Sequence, residues 1–127
     1  MDNKGKDHYK ETLVKYWLEK SDESFSSALQ DYEARRYGVA IRNLYYACFY
    51  SLISVLLKQG KKFKKHSGVR AEFHKSLIKT GKLNSKWGKF YDKVFDSRHE
   101  SDYQPLKVIQ ADEVNELLSK TKDLLMR

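Results

Sequence analysis

Residues 39–58, VAIRNLYYACFYSLISVLLK, form a nearly unbroken apolar stretch in the 127-residue chain and decide its fold. The apolar positions recur at helical spacing and cover two faces of the predicted helix instead of one stripe. A helix that is apolar nearly all round belongs at the centre of a bundle, with neighbours on most sides. The surplus could also be buried against a second copy of the chain. One face carries Ile41, Leu44, Tyr45, Cys48, Leu52, Val55 and Leu56, and the other carries Tyr46, Phe49, Tyr50, Ile53 and Leu57.

Periodic apolar patterns on either side of this stretch predict four more helices. With only six glycines and one proline, the chain has few breakpoints, and no run alternates with period two as a strand would. We expect a possible break near Ser21, Gly38 in the turn after the first helix, and a non-helical loop at residues 103–105 that contains Pro105. The sequence predicts one all-α domain over residues 1–127, an antiparallel bundle of four to five helices. The other predicted helices cover residues 7–36, 67–80, 84–101 and 112–126.

Cysteine and histidine usage excludes several classes of site. Cys48 is the only cysteine, so a disulfide within the chain and a cysteine-based zinc site are excluded. The four histidines are scattered, and we predict no metal and no cofactor. The N-terminal residues are polar, and no run of about 18 apolar residues occurs, so we expect no secretory signal, no membrane contact and a cytoplasmic protein.

Positive charge is concentrated in the middle of the chain. The formal net charge is +8, and residues 58–93 carry 12 basic and 2 acidic side chains. Lysine dominates, which favours attraction to phosphates without base reading. An acidic partner protein would be served equally well, and a solvated face that aids solubility is a further alternative. The candidate residues for nucleotide or RNA binding are Lys61, Lys62, Lys64, Lys65, His66 and Arg70, joined by Arg42 and Asn43 on the central helix.

Three ordered motifs resemble those of the HEPN family of small prokaryotic helical-bundle proteins. They are YGVAIRNLYYACFY at residues 37–50, HSGV at residues 66–69 followed by Phe73, and Arg98 with Asp102-Tyr103. The resemblance implies a bundle of four or five helices that is often homodimeric. It also implies a minimal nucleotidyltransferase partner, as in toxin–antitoxin pairs, and an RNA or nucleotide ligand.

Several HEPN members are metal-independent ribonucleases whose motif is an arginine followed after four to six residues by a histidine. The histidine can act as an acid or base, and the arginine can hold a phosphate. This sequence departs from the motif, because Tyr103, Gln104 and Pro105 occupy the window after Arg98. His99 directly follows Arg98, so a helix turns it about 100° away.

The resemblance therefore predicts a non-catalytic or weakly active module. The alternative is an RNA-cleaving toxin with an altered active site, and whether the chain is an enzyme stays open at this point. The candidate catalytic residues are Arg98, Asp102 and Tyr103. Arg98 and Asp102 can pair at a spacing of four, either as a structural contact or as a phosphate site.

The other candidates also have two interpretations each. Arg42 and Asn43 either bond across helices or line a pocket with Arg98. Tyr103 either stacks on a base or packs with its hydroxyl bonded. His66 either bonds to a helix end or stands beside backbone N–H groups that meet a phosphate.

Overall fold

The computed structural model describes residues 3–61 and 66–126 and confirms the all-α bundle. Within these residues the chain forms five α-helices and one π-helical turn, and no strand. Short links join most of the helices, as expected for an antiparallel bundle. The elements are α1 (Asn3–Glu33), α2 (Tyr37–Lys58), α3 (His66–Phe73), the π-helical turn (His74–Ile78), α4 (Ser85–Tyr103) and α5 (Ala111–Leu125).

The α1–α2 hairpin corrects two expectations. Helix α1 continues without a break at Ser21, because this residue is buried and its Oγ donates a hydrogen bond to the Ala47 carbonyl at 2.7 Å. Gly38 lies inside α2, and the turn instead uses Arg35, whose φ of 63° is in the left-handed region. Gly38 serves close packing, since a Cβ there would stand 2.9 Å from Ser101 Oγ.

Helix α2 lies at the centre of the core, as its two apolar faces predict. Tyr45 and Cys48 are fully buried on it, and Tyr91 of α4 and Thr121 of α5 are fully buried against them. The Cys48 Sγ lies 3.8 Å from Thr121 Oγ1, and burial raises the pKa of the thiol to about 12. The lone cysteine is therefore a small core residue and a poor nucleophile.

Helix α2 is also long and apolar enough to cross a membrane on length and composition alone. More than half of its most apolar window, 56%, is buried within the bundle. The core helix of a globular bundle has the same length and composition.

Most helix bounds differ from the predicted ones by one to four residues, and α1 ends at Glu33 instead of residue 36. Two of the departures have a local reason. The predicted helix over residues 67–80 changes register at His74, where the Lys79 N–H donates to the His74 carbonyl at 2.8 Å and closes a π turn. Helix α4 extends to Tyr103, two residues past its predicted end. Pro105 does not prevent this, because the Gln104 N–H still completes its bond to the Glu100 carbonyl at 2.9 Å.

Candidate functional site

The first candidate site lies where the N-terminal half of α2 meets the C-terminal end of α4. Arg42 donates from Nη2 to Asp102 Oδ1 at 2.9 Å, and Arg98 places Nε 3.1 Å from Asp102 Oδ2. We call these three residues the Asp102 cluster. Two guanidinium groups share one carboxylate, so the cluster keeps one formal positive charge. The hydrogen bond to Asp102 raises the pKa of Arg42.

Arg98 has the more buried side chain of the two arginines. Its side chain is 23% exposed, against 51% for Arg42. The guanidinium carbon of Arg98 lies 5.2 Å from the ring centre of Tyr45 and 5.8 Å from that of Tyr46, as in cation–π contacts. Among the described residues, its buried Nε finds no acceptor with hydrogen-bond geometry, so the contact with Asp102 is an ion pair.

The two aromatic residues at the end of α4 form a separate pair beside the cluster. The ring centres of His99 and Tyr103 lie 4.7 Å apart, one helical turn from each other. Both side chains are exposed, and that of Tyr103 is 65% exposed. Tyr103 is thus available to stack on a base or to contact a partner. His99 stands against Tyr103, as expected for a residue turned about 100° from Arg98.

A second cluster centres on Asp92 of α4. Arg70 is its only member among the candidate residues predicted from the sequence. Asp92 Oδ1 lies 2.9 Å from Arg70 Nε and 3.0 Å from His74 Nε2. The guanidinium of Arg70 stands over the ring of Phe95 at 4.5 Å. The spacing of four between Arg70 and His74 placed them on one face, but nothing in the sequence pointed to Asp92 as their partner.

Contacts with aromatic rings link both clusters to the same buried residue, Tyr45. The ring centre of Tyr45 lies 5.8 Å from that of Phe95, and the guanidinium of Arg70 stands over the Phe95 ring. The guanidinium of Arg98 stands over the ring of Tyr45 itself. Burial raises the pKa of Tyr45, and the charges of Arg98 and Arg70 oppose that rise. Tyr45 therefore lies close to Arg98 directly and to Arg70 through the ring of Phe95.

Asn43 is not part of the Asp102 cluster, because it donates a hydrogen bond to a third carboxylate, that of Asp31. Asp31 is buried; its Oδ1 accepts from Arg36 Nε at 3.2 Å, and its Oδ2 accepts from Asn43 Nδ2 at 2.7 Å. Arg42 thus joins Arg98, whereas Asn43 bonds across helices to α1. Neighbouring residues on a helix point about 100° apart, which separates the two roles.

The comparison with known proteins decides the family. A family model described as HEPN domain matches residues 14–127. This chain belongs to the HEPN domain family. The match confirms the resemblance carried by the motifs on α2, α3 and α4.

Two relatives of this HEPN domain cover most of the chain. A UPF0332 protein of Thermotoga maritima is 35% identical over 116 residues, which span 91% of this chain and 88% of the relative. A protein of Methanocaldococcus jannaschii named "Putative toxin MJ0142" is 32% identical over 112 residues, spanning 88% of this chain and 76% of the relative. The domain is thus similar both to a UPF0332 protein and to a protein named as a putative toxin.

The basic segment of this HEPN domain is placed only in part. Lys61 is half-buried after α2, whereas Lys62, Lys64 and Lys65 lie outside the described residues. His66 begins α3, but its side chain is also outside the description. In the two described stretches, residues 3–61 and 66–126, no three His, Cys, Asp or Glu side chains are grouped as metal ligands would be.

Proposed function

We propose that this HEPN domain forms a homodimer in the cytoplasm, works with a nucleotidyltransferase partner, and binds RNA or nucleotide phosphate at the Asp102 cluster with little or no RNA cleavage. The observation that carries the proposal is the pair of guanidinium groups on one carboxylate. Arg42 and Arg98 together exceed the charge of Asp102, and the side chain of Arg42 is exposed to an incoming anion. Arginine in this arrangement suits a phosphate.

The surroundings of the cluster support a partner surface there. Tyr103, Leu106 and Val108 are 65%, 94% and 75% exposed, and all three lie in or beside the loop that follows α4. Exposed apolar residues grouped at one site are typical of interaction surfaces. A second copy of the domain would cover these residues and bring two Asp102 clusters near each other. The basic residues from Lys61 to Arg70 would add attraction for a polyanion.

Weak or absent cleavage follows from what the cluster lacks. His99 is turned toward Tyr103, and no histidine stands at the position that the family's ribonuclease motif requires. His74 belongs to the other cluster, where its Nε2 lies 3.0 Å from Asp92 Oδ1. Cleavage by the family's arginine–histidine arrangement is therefore not expected, since its histidine has no counterpart after Arg98.

The second candidate function is that of an RNA-cleaving toxin with an altered site. It is favoured by the name "Putative toxin MJ0142" of one relative and the name "Putative toxin MJ0605" of another Methanocaldococcus jannaschii protein, 30% identical over 86 residues that span 68% of this chain and 64% of the relative. In this alternative Arg98 would hold the scissile phosphate, and His99, Asp102 or Tyr103 would move the protons.

One set of variants separates the two functions. Wild type, Arg98→Ala and, as a control, Lys122→Ala are compared for RNA binding and for RNA cleavage at low salt. We expect Arg98→Ala to weaken RNA binding by about tenfold, since it removes a charged contact, while Lys122→Ala changes it little. Cleavage that is clear in wild type and lost in Arg98→Ala would establish the enzyme instead. Binding that is equal in all three proteins, with no cleavage by any of them, would refute both.

Dimerisation and the partner need their own measurements. Light scattering on wild type and on Leu106→Glu with Val108→Glu tests whether the exposed loop holds two copies together. We expect a dimer for wild type and a monomer for the variant. Co-purification with a nucleotidyltransferase encoded by a neighbouring gene tests the partnership, and separate elution of two folded proteins would contradict it.

A further inference from the structure

A groove between α1 and α2 lies apart from the carboxylate clusters described above. It is formed by the N-terminal half of α1 and the C-terminal end of α2 and has a volume of about 420 Å³. This volume falls in the range of ligand pockets in proteins. We call it the Leu18 groove, and the described residues that line it are Lys10, Glu11, Val14, Lys15, Leu18 and Lys58.

The apolar part of the Leu18 groove is aliphatic. Val14 and Leu18 are four positions apart, so they lie on one face of α1 in successive turns. Val14 is 7% exposed, whereas Leu18 is 41% exposed and leaves much of its side chain open to solvent. The described lining contains no aromatic ring, so it offers no surface on which a nucleic-acid base would stack. The groove therefore suits aliphatic side chains of another molecule.

The rim of the Leu18 groove has excess positive charge. Lys10, Lys15 and Lys58 are exposed, and Glu11 is the one acid in the described lining. None of the three lysines forms an ion pair within the part of the chain that the structure describes. Two of them come from α1 and one from α2, so positive charge stands on both sides of the aliphatic residues. An acidic partner would complement this charge.

We infer that the Leu18 groove docks an acidic amphipathic helix of a partner protein, with aliphatic side chains against Val14 and Leu18 and carboxylates toward the three lysines. A helix laid into an apolar groove is a recurring mode of peptide recognition, in which the anchoring side chains recur at i, i+3 or i+4, and i+7. The charge of the rim selects acidic over basic helices. The inference does not depend on the Asp102 cluster, whose residues do not line this groove.

An anionic membrane surface fits the Leu18 groove less well than a helix does. Binding to a membrane requires apolar side chains that project from the protein and enter the boundary of the acyl chains. Val14 is nearly buried, and Leu18 is the one exposed apolar side chain in the described lining. A membrane would therefore meet the lysines but little apolar surface, whereas the side chains of a helix can enter the groove.

Two synthetic peptides test the charge of the occupant. Each has about 14 residues, or four helical turns, with leucine at i, i+3, i+4 and i+7. The remaining positions are glutamate in one peptide and lysine in the other. In calorimetric titrations of the wild-type protein, we expect the glutamate peptide to bind, more weakly at high salt, and the lysine peptide to bind at least about tenfold more weakly. Equal binding of the two peptides, or no binding of either, would overturn the inference.

Charge reversal on the rim is compared with the same change elsewhere. Lys10→Glu with Lys15→Glu should weaken binding of the glutamate peptide by at least about tenfold. The control is Lys86→Glu with Lys89→Glu, which alters two lysines of a separate groove between α4 and α5. An equal loss in both double variants would show attraction by net charge alone and would overturn the inference.

A second matched pair of variants tests the aliphatic contact. Leu18 and Leu29 are 41% and 38% exposed on α1, but of the two only Leu18 lines the groove. Leu18→Asn should weaken binding of the glutamate peptide by about fivefold or more, whereas Leu29→Asn should leave it nearly unchanged. The two variants lose the same aliphatic group from similarly exposed sites, so an equal effect on peptide binding would contradict docking at Leu18.

RNA and membranes are tested as other occupants with the same double variant. A mixed-sequence RNA oligonucleotide and vesicles of phosphatidylcholine with phosphatidylserine are titrated into wild type and into Lys10→Glu with Lys15→Glu. Binding of either ligand that depends on these lysines, without binding of the glutamate peptide, would assign the groove to that ligand and overturn the inference. The Arg98→Ala protein should bind the glutamate peptide as wild type does, so failure of the Asp102 proposal and failure of this one produce different results.

Discussion

Arg42 and Asp102 stand sixty positions apart in the chain, yet Arg42 Nη2 lies 2.9 Å from Asp102 Oδ1. This contact ties the start of α2 to the end of α4. One turn before Arg42, the bare Cα of Gly38 lets α2 approach Ser101 on the same part of α4. The phosphate site proposed here therefore depends on how closely two helices pack.

Replacing Asp102 by asparagine should separate the two roles of its carboxylate. Asp102→Asn removes the partner of Arg42 and Arg98 and leaves two guanidinium groups side by side. We expect the free energy of unfolding to fall by about 1–3 kcal/mol, while RNA binding at low salt becomes tighter because phosphate no longer competes with the carboxylate. Asp96→Asn, an exposed acid on the same helix, is the control. An equal gain in that control would show a general charge effect only.

Asp31 should be a structural residue without a role in binding. It is buried and holds Asn43 of α2 and Arg36 of the α1–α2 turn. Asp31→Ala leaves the Asn43 amide without an acceptor, so we expect a loss of about 1.5–3 kcal/mol in urea unfolding. Asp22→Ala, at an exposed position of α1, should change stability little. A marked loss of RNA affinity in folded Asp31→Ala protein would contradict the structural assignment.

Replacing two helical glycines by alanine should change the free energy of unfolding in opposite directions. A Cβ at Gly88 would meet His74 Cε1 at 3.0 Å and Ile78 Cγ1 at 3.2 Å, whereas no atom of the described residues lies within 4 Å of one at Gly68. Gly68→Ala should stabilise the protein by about 0.5–1 kcal/mol through helix propensity. Gly88→Ala should destabilise it by about 1–2 kcal/mol and move the His74 ring away from Asp92. Thermal unfolding and the His74 resonances measure both effects; stabilisation by Gly88→Ala would contradict the packing.

Cys48 should resist alkylation in the native state. It is fully buried, and burial raises the pKa of its thiol to about 12. A raised folded pKa means that the protonated thiol favours the fold. Its contribution is constant below the unfolded pKa, near 9, and is lost as the pH rises from there toward 12.

We expect labelling by iodoacetamide at pH 8 to follow the rate of unfolding and to become fast in urea. Cys48→Ala should flatten the decline of stability above pH 9. Fast labelling of the native protein at pH 8 would show that the thiol is exposed by local motion.

Much of the fold was predictable because it depends on local patterns. The apolar periodicity of residues 39–58 places α2 at the core whatever its neighbours are, since a helix that is apolar all round must be covered. The spacing of four likewise brings Arg98 to Asp102 on one helix. The errors were also local: the end of α4, the π turn at His74 and the role of Gly38 depend on single hydrogen bonds and close contacts that periodicity does not record.

The sequence by itself determined an all-α bundle, its central helix, its family motifs and the placement of excess charge, because each is a property of neighbouring residues. Only the tertiary structure decided that Arg42 joins Arg98 while Asn43 turns to Asp31, and that Arg70 and His74 share Asp92. It also decided that lysines of α4 and α5 surround Trp87. These relationships depend on how each helix is rotated about its axis when the core packs, and side chains from every element together set that rotation.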